Sequence, residues 1–136
     1  SIIGMPDETR DLIFDTINFV RELPDSIDAT GAFIFAPYHG TPLRDLAIRK
    51  GYIKEEEICS LSNTSESMLR MPTITKNEIQ GLAKTFSLYT KFPKERWPEI
   101  KIAESDGAEG TKMMDKLGKE FDSTYRQFAA GTDLHD

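Results

Sequence analysis

The chain is short of the residues that most often carry metal or nucleophilic chemistry: of its 136 residues, one is a cysteine and two are histidines. A lone cysteine excludes an internal disulfide and any zinc or iron–sulfur site built from several thiolates of this chain. With no base or helix start beside it, Cys59 reads as a reduced, partly buried small hydrophobe rather than a reactive thiol. Long apolar runs are lacking as well. The longest, Gly31 to Pro37, is far short of the ~20 residues of a membrane helix, and no signal-peptide pattern follows Ser1, so the expectation is no membrane contact and a cytoplasmic location. Positive charge is in deficit: the formal net charge is −6 with no run of Lys or Arg, which argues against nucleic acid as a partner.

What is present describes an ordinary globular chain. A hydrophobic fraction of 38% and a charged fraction of 29% are neither disordered nor fibrous in character, and a chain of this length buries roughly two thirds of its unfolded surface. "SII" reads as a strand end, and Asp11 to Leu23 as a helix carrying Leu12, Ile13, Thr16, Ile17, Val20 and Leu23 on one core-facing stripe, with Thr9 as N-cap and Pro24 as stop. A polar connection, Asp25 to Asp28, leads to "ATGAFIFAP", whose unbroken apolar character predicts a strand covered on both faces, returning beside "SII" by a right-handed crossover. Thr41 and Pro42 then start a short helix with Leu43, Leu46 and Ala47 inward and Gly51 after its end.

Beyond Lys54 the pattern weakens. Glu55 to Cys59 reads as a helical turn and Leu61 to Arg70 as an irregular loop. Thr75 and Glu78 form a capping box for a long helix whose face is Ile79, Leu82, Ala83, Phe86, Tyr89 and Thr90. Pro93 ends it, a helix restarts near Pro98 and runs to about Glu104, and Gly107 and Gly110 flank an acidic linker. A last helix, Lys112 to Ala129, lines up Met114, Leu117, Phe121, Tyr125 and Phe128, and the tail from Gly131 frays. Residues 1–60 therefore read as α/β and residues 61–136 as a helical extension.

Chemistry has few footholds. Gly4 to Thr9 is a strand end, a glycine and a helix start, which can meet a polar ligand group, although the same residues make an ordinary strand-to-helix turn. It lacks dinucleotide and triphosphate fingerprints. Ala36 to Thr41, "APYHGT", places an aromatic, a histidine and a glycine at a strand's carboxyl end, where ligands of parallel sheets bind; a single loop histidine such as His39 is more often a solvated turn residue. Glu55, Glu56, Glu57, Asp106 and Glu109 read as solvated surface. Phe86, Tyr89, Phe92 and Trp97, at helical spacing, read as core rather than a stacking surface.

"IIGMPDETRDLIFDTINFVREL" followed by "APYHGTPLRDLAIRKGYI" resembles the late barrel of radical S-adenosylmethionine enzymes. The similarity is to the group with an upstream cobalamin-binding domain, in which a "GLPGET"-like turn starts a helix and a "PYPGT"-like loop follows the next strand. "MPTITKNEIQGLAKTFSLYTKFPKERWPEI" is similar to the helical C-terminal extension of that group. Asp7 stands where the family usually has a glycine, and His39 where it often has a proline. The resemblance implies an α/β fold, a late β-α-β part of a partial (β/α) TIM-like barrel followed by a helical C-terminal extension. It implies a parent enzyme that cleaves S-adenosylmethionine reductively to a 5′-deoxyadenosyl radical at a 4Fe–4S cluster, with cobalamin as a further cofactor of the parent.

The family's CxxxCxxC motif is not in this sequence, so the cluster ligands would come from the upstream barrel half, and this chain alone is expected to be inactive. Carried over by position, the residues lining the adenine side of the cofactor are Ile3, Gly4 and Met5 on the first strand end and Phe35, Ala36, Pro37 and Tyr38 on the second; none is catalytic and none binds metal. The chain is then a piece of a larger protein whose partner is the remainder of the parent. Isolated, its open sheet is expected to self-associate or to have its strands trimmed into a small sheet. Two further readings are a helical docking module presenting an aromatic groove from Thr75 onward, and a small α/β enzyme using His39 with a nearby acid.

Overall fold

Thr9 turns a strand end into a helix. Its extended backbone and its hydroxyl, which accepts from the Leu12 N–H at 3.2 Å, satisfy one of the donors that a helix start leaves over. The computed structural model describes residues 1–24, 26–27, 31–59 and 66–126. Strand β1 (Ile2–Ile3) leads into α1 (Arg10–Arg21), and β2 (Phe33–Ile34) into α2 (Pro42–Arg49). Helix α3 (Lys76–Lys91) is followed by a 3₁₀ turn (Lys94–Arg96), α4 (Trp97–Ala103), α5 (Ala108–Phe121) and a π-helical turn (Asp122–Arg126). β1 and β2 pair in parallel, Ile2 opposite Phe33 and Ile3 opposite Ile34.

α3 is the axis of the packing. Capped by Thr75, it meets α1, α4, α5 and β2. Its Ile79, Leu82, Phe86 and Tyr89 are almost completely buried together with Ile3, Ile13, Ile17, Ile34, Ile100 and Leu117. A smaller cluster of Ala47, Ile53 and Leu69 lies under α2, and Met71 packs against both. Because α1 and α3 cover one face of the strand pair, Ile3 and Ile34 are buried. The other face carries Ile2 and Phe33, which are 59% and 69% exposed.

This arrangement overturns the expected fold class. Helices account for 56% of the described residues, the strands are two residues each and form a two-stranded sheet, and the β-α-β part of a partial TIM-like barrel is not what these residues build. The apolar run "ATGAFIFAP" predicts a strand covered on both faces. A run of apolar residues reports contact with other protein, whereas strand length depends on backbone partners. Here β2 has one neighbour, its pairing ends at Ile34, and Phe33 faces out.

Smaller corrections have similar causes. On α1 the buried stripe is Ile13, Ile17 and Val20 alone, while Leu12 is half exposed, because the helix rests on its neighbours along a single line. On α2 the buried residues are Arg44 and Ala47 rather than Leu43 and Leu46. Glu55 to Cys59 contains a turn closed by the Glu57 N–H on the Lys54 carbonyl, not a helix. The presumed acidic linker is the first turn of α5: Gly107 is its N-cap and Gly110 is buried within it. Asp25 and Asp28, the loop at 61–65, the 60/61 boundary, Phe128 and the tail from Gly131 lie outside the described residues. Among the described residues, no helix is long and apolar enough to cross a membrane.

Candidate functional site

Parallel pairing, Ile3 opposite Ile34, starts the two segments that follow the strands from neighbouring positions. The Phe35 N–H donates to the Ile3 carbonyl at 2.8 Å, the last rung before the loops diverge. Ile3 is fully buried beneath the helices and Gly4 is buried, whereas Met5 is partly exposed. On the second loop Phe35 and Ala36 are partly exposed, Pro37 is buried, and Tyr38, His39 and Gly40 are exposed. The candidates left wholly or partly exposed are Met5, Phe35, Ala36 and Tyr38, and Phe35 also packs against the cluster of Ala47, Ile53 and Leu69.

The first loop is a turn with two left-handed residues, Gly4 (φ 82°) and Asp7 (φ 64°). Gly4 takes the left-handed conformation without strain, and a side-chain carbon there would also stand close to Ile79, 3.2 Å from its Cγ2. The turn amides are already engaged: Glu8 Oε1 accepts from the Gly4 N–H at 2.6 Å and the Met5 N–H at 3.3 Å. Burial pushes the Glu8 carboxyl up and these two bonds pull it down, burial prevailing. A polar ligand group at these amides would have to displace a carboxylate of the chain itself. The turn therefore suits an apolar or planar group better than an anion.

Asp7 has a left-handed backbone. A left-handed residue is strained for most L side chains but tolerable for Asp, and here the carboxylate is held by the Lys50 ammonium and the Tyr52 hydroxyl. Lys50 first, then Tyr52, lowers the Asp7 pKa, and the shared bond to Asp7 raises those of Lys50 and Tyr52. The Asp7 N–H donates to Met71 Sδ at 3.3 Å.

The second loop is braced by Arg44, a buried cation that donates to the carbonyls of Pro37 (2.9 Å), Glu55 (3.2 Å) and Glu57. Thr41 Oγ1 donates to the Tyr38 carbonyl at 2.7 Å and accepts from the Arg44 N–H. Arg44, Lys50 and Tyr52 carried no signal in the sequence, because their roles depend on carbonyls and a carboxylate brought to them by the fold.

The other expected groups are placed as follows. Glu55, Glu56, Asp106 and Glu109 are exposed, and Glu57 is ion-paired with Arg70, which brings its pKa down to about 2. Phe86, Tyr89 and Phe92 are core, and Trp97 meets Phe14 and Tyr89 edge to face or tilted. Cys59 is buried. Two surface concavities are lined by none of the candidate cofactor-lining residues: one by Lys84, Thr111, Met114 and Asp115, the other by residues that include Arg10 and Glu104. In the latter, Arg10 binds Glu104 through two hydrogen bonds of 2.9 and 2.8 Å, and the Tyr89 hydroxyl donates to the same carboxylate. Those charges are mutually satisfied. Among the described residues no group of three or more His, Cys, Asp or Glu is arranged to hold a metal.

No protein-family model, curated protein or solved structure matches this chain.

Proposed function

We propose that the chain is the C-terminal part of an iron–sulfur radical S-adenosylmethionine enzyme, an oxidoreductase or transferase, contributing the adenine side of the cofactor site and inactive alone. The observation that carries this reading is the juxtaposition of the two loops that bear the resemblance. Gly4 to Thr9 and Ala36 to Thr41 leave neighbouring parallel strands at their carboxyl ends, the position at which such sheets take ligands.

The residues fit one part of the cofactor set and not the other. With a single cysteine, the chain cannot ligate a 4Fe–4S cluster, so the cluster belongs to the remainder of the parent. For S-adenosylmethionine, Met5, Phe35, Ala36 and Tyr38 offer apolar and aromatic surface for a purine, and Ile3, Gly4 and Pro37 shape the backbone beneath it. When bound, the cofactor supplies radical initiation; this chain's residues hold its base and exclude water. Cobalamin in the parent rests on the resemblance alone. The partner that completes the site is the rest of the parent chain, laid over the exposed Ile2 and Phe33 face. Cytoplasmic location follows from the same reading.

The test is anaerobic iron and sulfide reconstitution of the native gene product, followed by reduction with S-adenosylmethionine present. The expected result is a broad visible absorbance that bleaches on reduction, with 5′-deoxyadenosine formed. A gene product that takes up no iron and cleaves no S-adenosylmethionine overturns the proposal.

A further inference from the structure

Asp7 is the one non-glycine residue with a left-handed backbone among the described residues. Such a conformation persists where its surroundings over-determine it. Three contacts hold residue 7: the Lys50 ammonium and the Tyr52 hydroxyl on its carboxylate, and Met71 Sδ on its N–H. Two of them come from the end of α2, where Lys50 is the C-cap residue and the Tyr52 N–H donates to the Ala47 carbonyl at 2.9 Å. The same short helix starts on the other loop, where Thr41 caps it and Arg44 reaches back to the Pro37 carbonyl. α2 is thus a strut with one end on each of the two loops at the strand ends.

We propose that Lys50 and Tyr52 are positioning residues for the candidate site: by holding the Asp7 carboxylate they fix the Gly4–Thr9 turn relative to the Ala36–Thr41 loop, and with it the width of the surface between them. Of the turn's other amides, those of Gly4 and Met5 are closed internally by Glu8. A planar group lying across Met5, Phe35 and Tyr38 would feel the clamp without touching it. That last step rests on the proposed cofactor reading; the mechanical part does not.

The experiment uses the native gene product with Lys50→Met and Tyr52→Phe combined, alone and in an Asp7→Gly background, where residue 7 adopts its conformation unaided. Amide hydrogen exchange at Gly4 and Met5 is expected to accelerate roughly tenfold in the first case, with exchange at Ile13 and Ile17 unchanged, and to be insensitive to the pair in the second. Exchange that is unaltered in the first case, or equally faster in both, overturns the positioning role. The KM for S-adenosylmethionine should rise about fivefold with kcat at saturation preserved; a fall in kcat at constant KM would count against an effect on binding. A gene product that cleaves no S-adenosylmethionine removes the cofactor reading, and the exchange result still decides whether the clamp sets the turn.

Discussion

Adjacent acids in the first turn do opposite jobs. Glu8 folds inward onto the Gly4 and Met5 amides, where burial raises its pKa, and Asp7 reaches outward to Lys50 and Tyr52, which lower its own. Arg44 makes a third kind of contact, a buried side chain that donates to the Pro37 carbonyl in the interior and to the Glu55 and Glu57 carbonyls nearer the surface. One pH-sensitive contact at this scale is the exposed pair of Glu57 and Arg70. Arg70 first, then the Lys54 N–H, holds the Glu57 carboxyl at about 2, down from 4.5. A depressed folded pKa means that the contribution is complete above pH 4.5 and is lost as pH falls toward 2. Arg70→Met should flatten that part of the acid limb, read by urea midpoints between pH 5 and 2; because the pair is solvent-screened, the change is expected to be small. An unchanged limb would assign the acid sensitivity to other carboxylates. None of these pairings was legible in the residues, since Asp7 and Tyr52, or Glu57 and Arg70, are joined only by the path of the chain between them.

Elements were more legible, for local reasons. Thr75 and Glu78 announce α3, and the Glu78 N–H does donate to Thr75 Oγ1 at 3.1 Å; Thr41 with Pro42 announces α2 in the same way. Caps are contacts within a few residues, so the sequence contains both partners. Which side of a helix meets its neighbour is not local. Leu12 and Phe19 of α1 stay 50% and 63% exposed while Ile13, Ile17 and Val20 are covered. Gly81 shows how close the elements come: a side-chain carbon there would lie 2.6 Å from the Glu104 carbonyl oxygen at the end of α4. Ala in an exposed helix interior gains about 1 kcal/mol over Gly, whereas overpacking costs typically ~1–3 kcal/mol. Gly81→Ala should therefore destabilise by about 1 kcal/mol despite its better helix propensity. Chemical denaturation decides it: a stabilised variant would mean that α4 yields without cost.

At the scale of the whole molecule, the asymmetry of the strand pair dominates. One face is sealed by α1 and α3, and the other presents Ile2 and Phe33 in register, with Leu12 and Phe19 also exposed elsewhere. Among the described residues each strand has a single neighbour, so each retains an edge able to accept another strand. In the proposed reading the remainder of the parent chain covers this face; the isolated chain is expected to cover it with a second copy. Light scattering of the isolated chain should show association that rises with concentration, and Ile2→Ser with Phe33→Ser should reduce it. A wild-type chain that stays monomeric at high concentration would contradict the open-sheet argument.

The sequence by itself determined what depends on composition and on neighbours along the chain. It excluded a thiolate cluster by counting cysteines, placed the helix starts through Thr9, Thr41 and Thr75, and identified Phe86, Tyr89 and Phe92 as core by their spacing. It overestimated the sheet, because an unbroken apolar run such as "AFIFAP" records burial and is silent on the number of backbone partners. The tertiary structure alone decided that α3 is the axis of the core, that the strands pair over only two residues each, and that α2 ties Asp7 to Pro37 through Lys50, Tyr52 and Arg44. Those are contacts between residues far apart in the chain, and their energies are set by distances that exist only once the chain has folded.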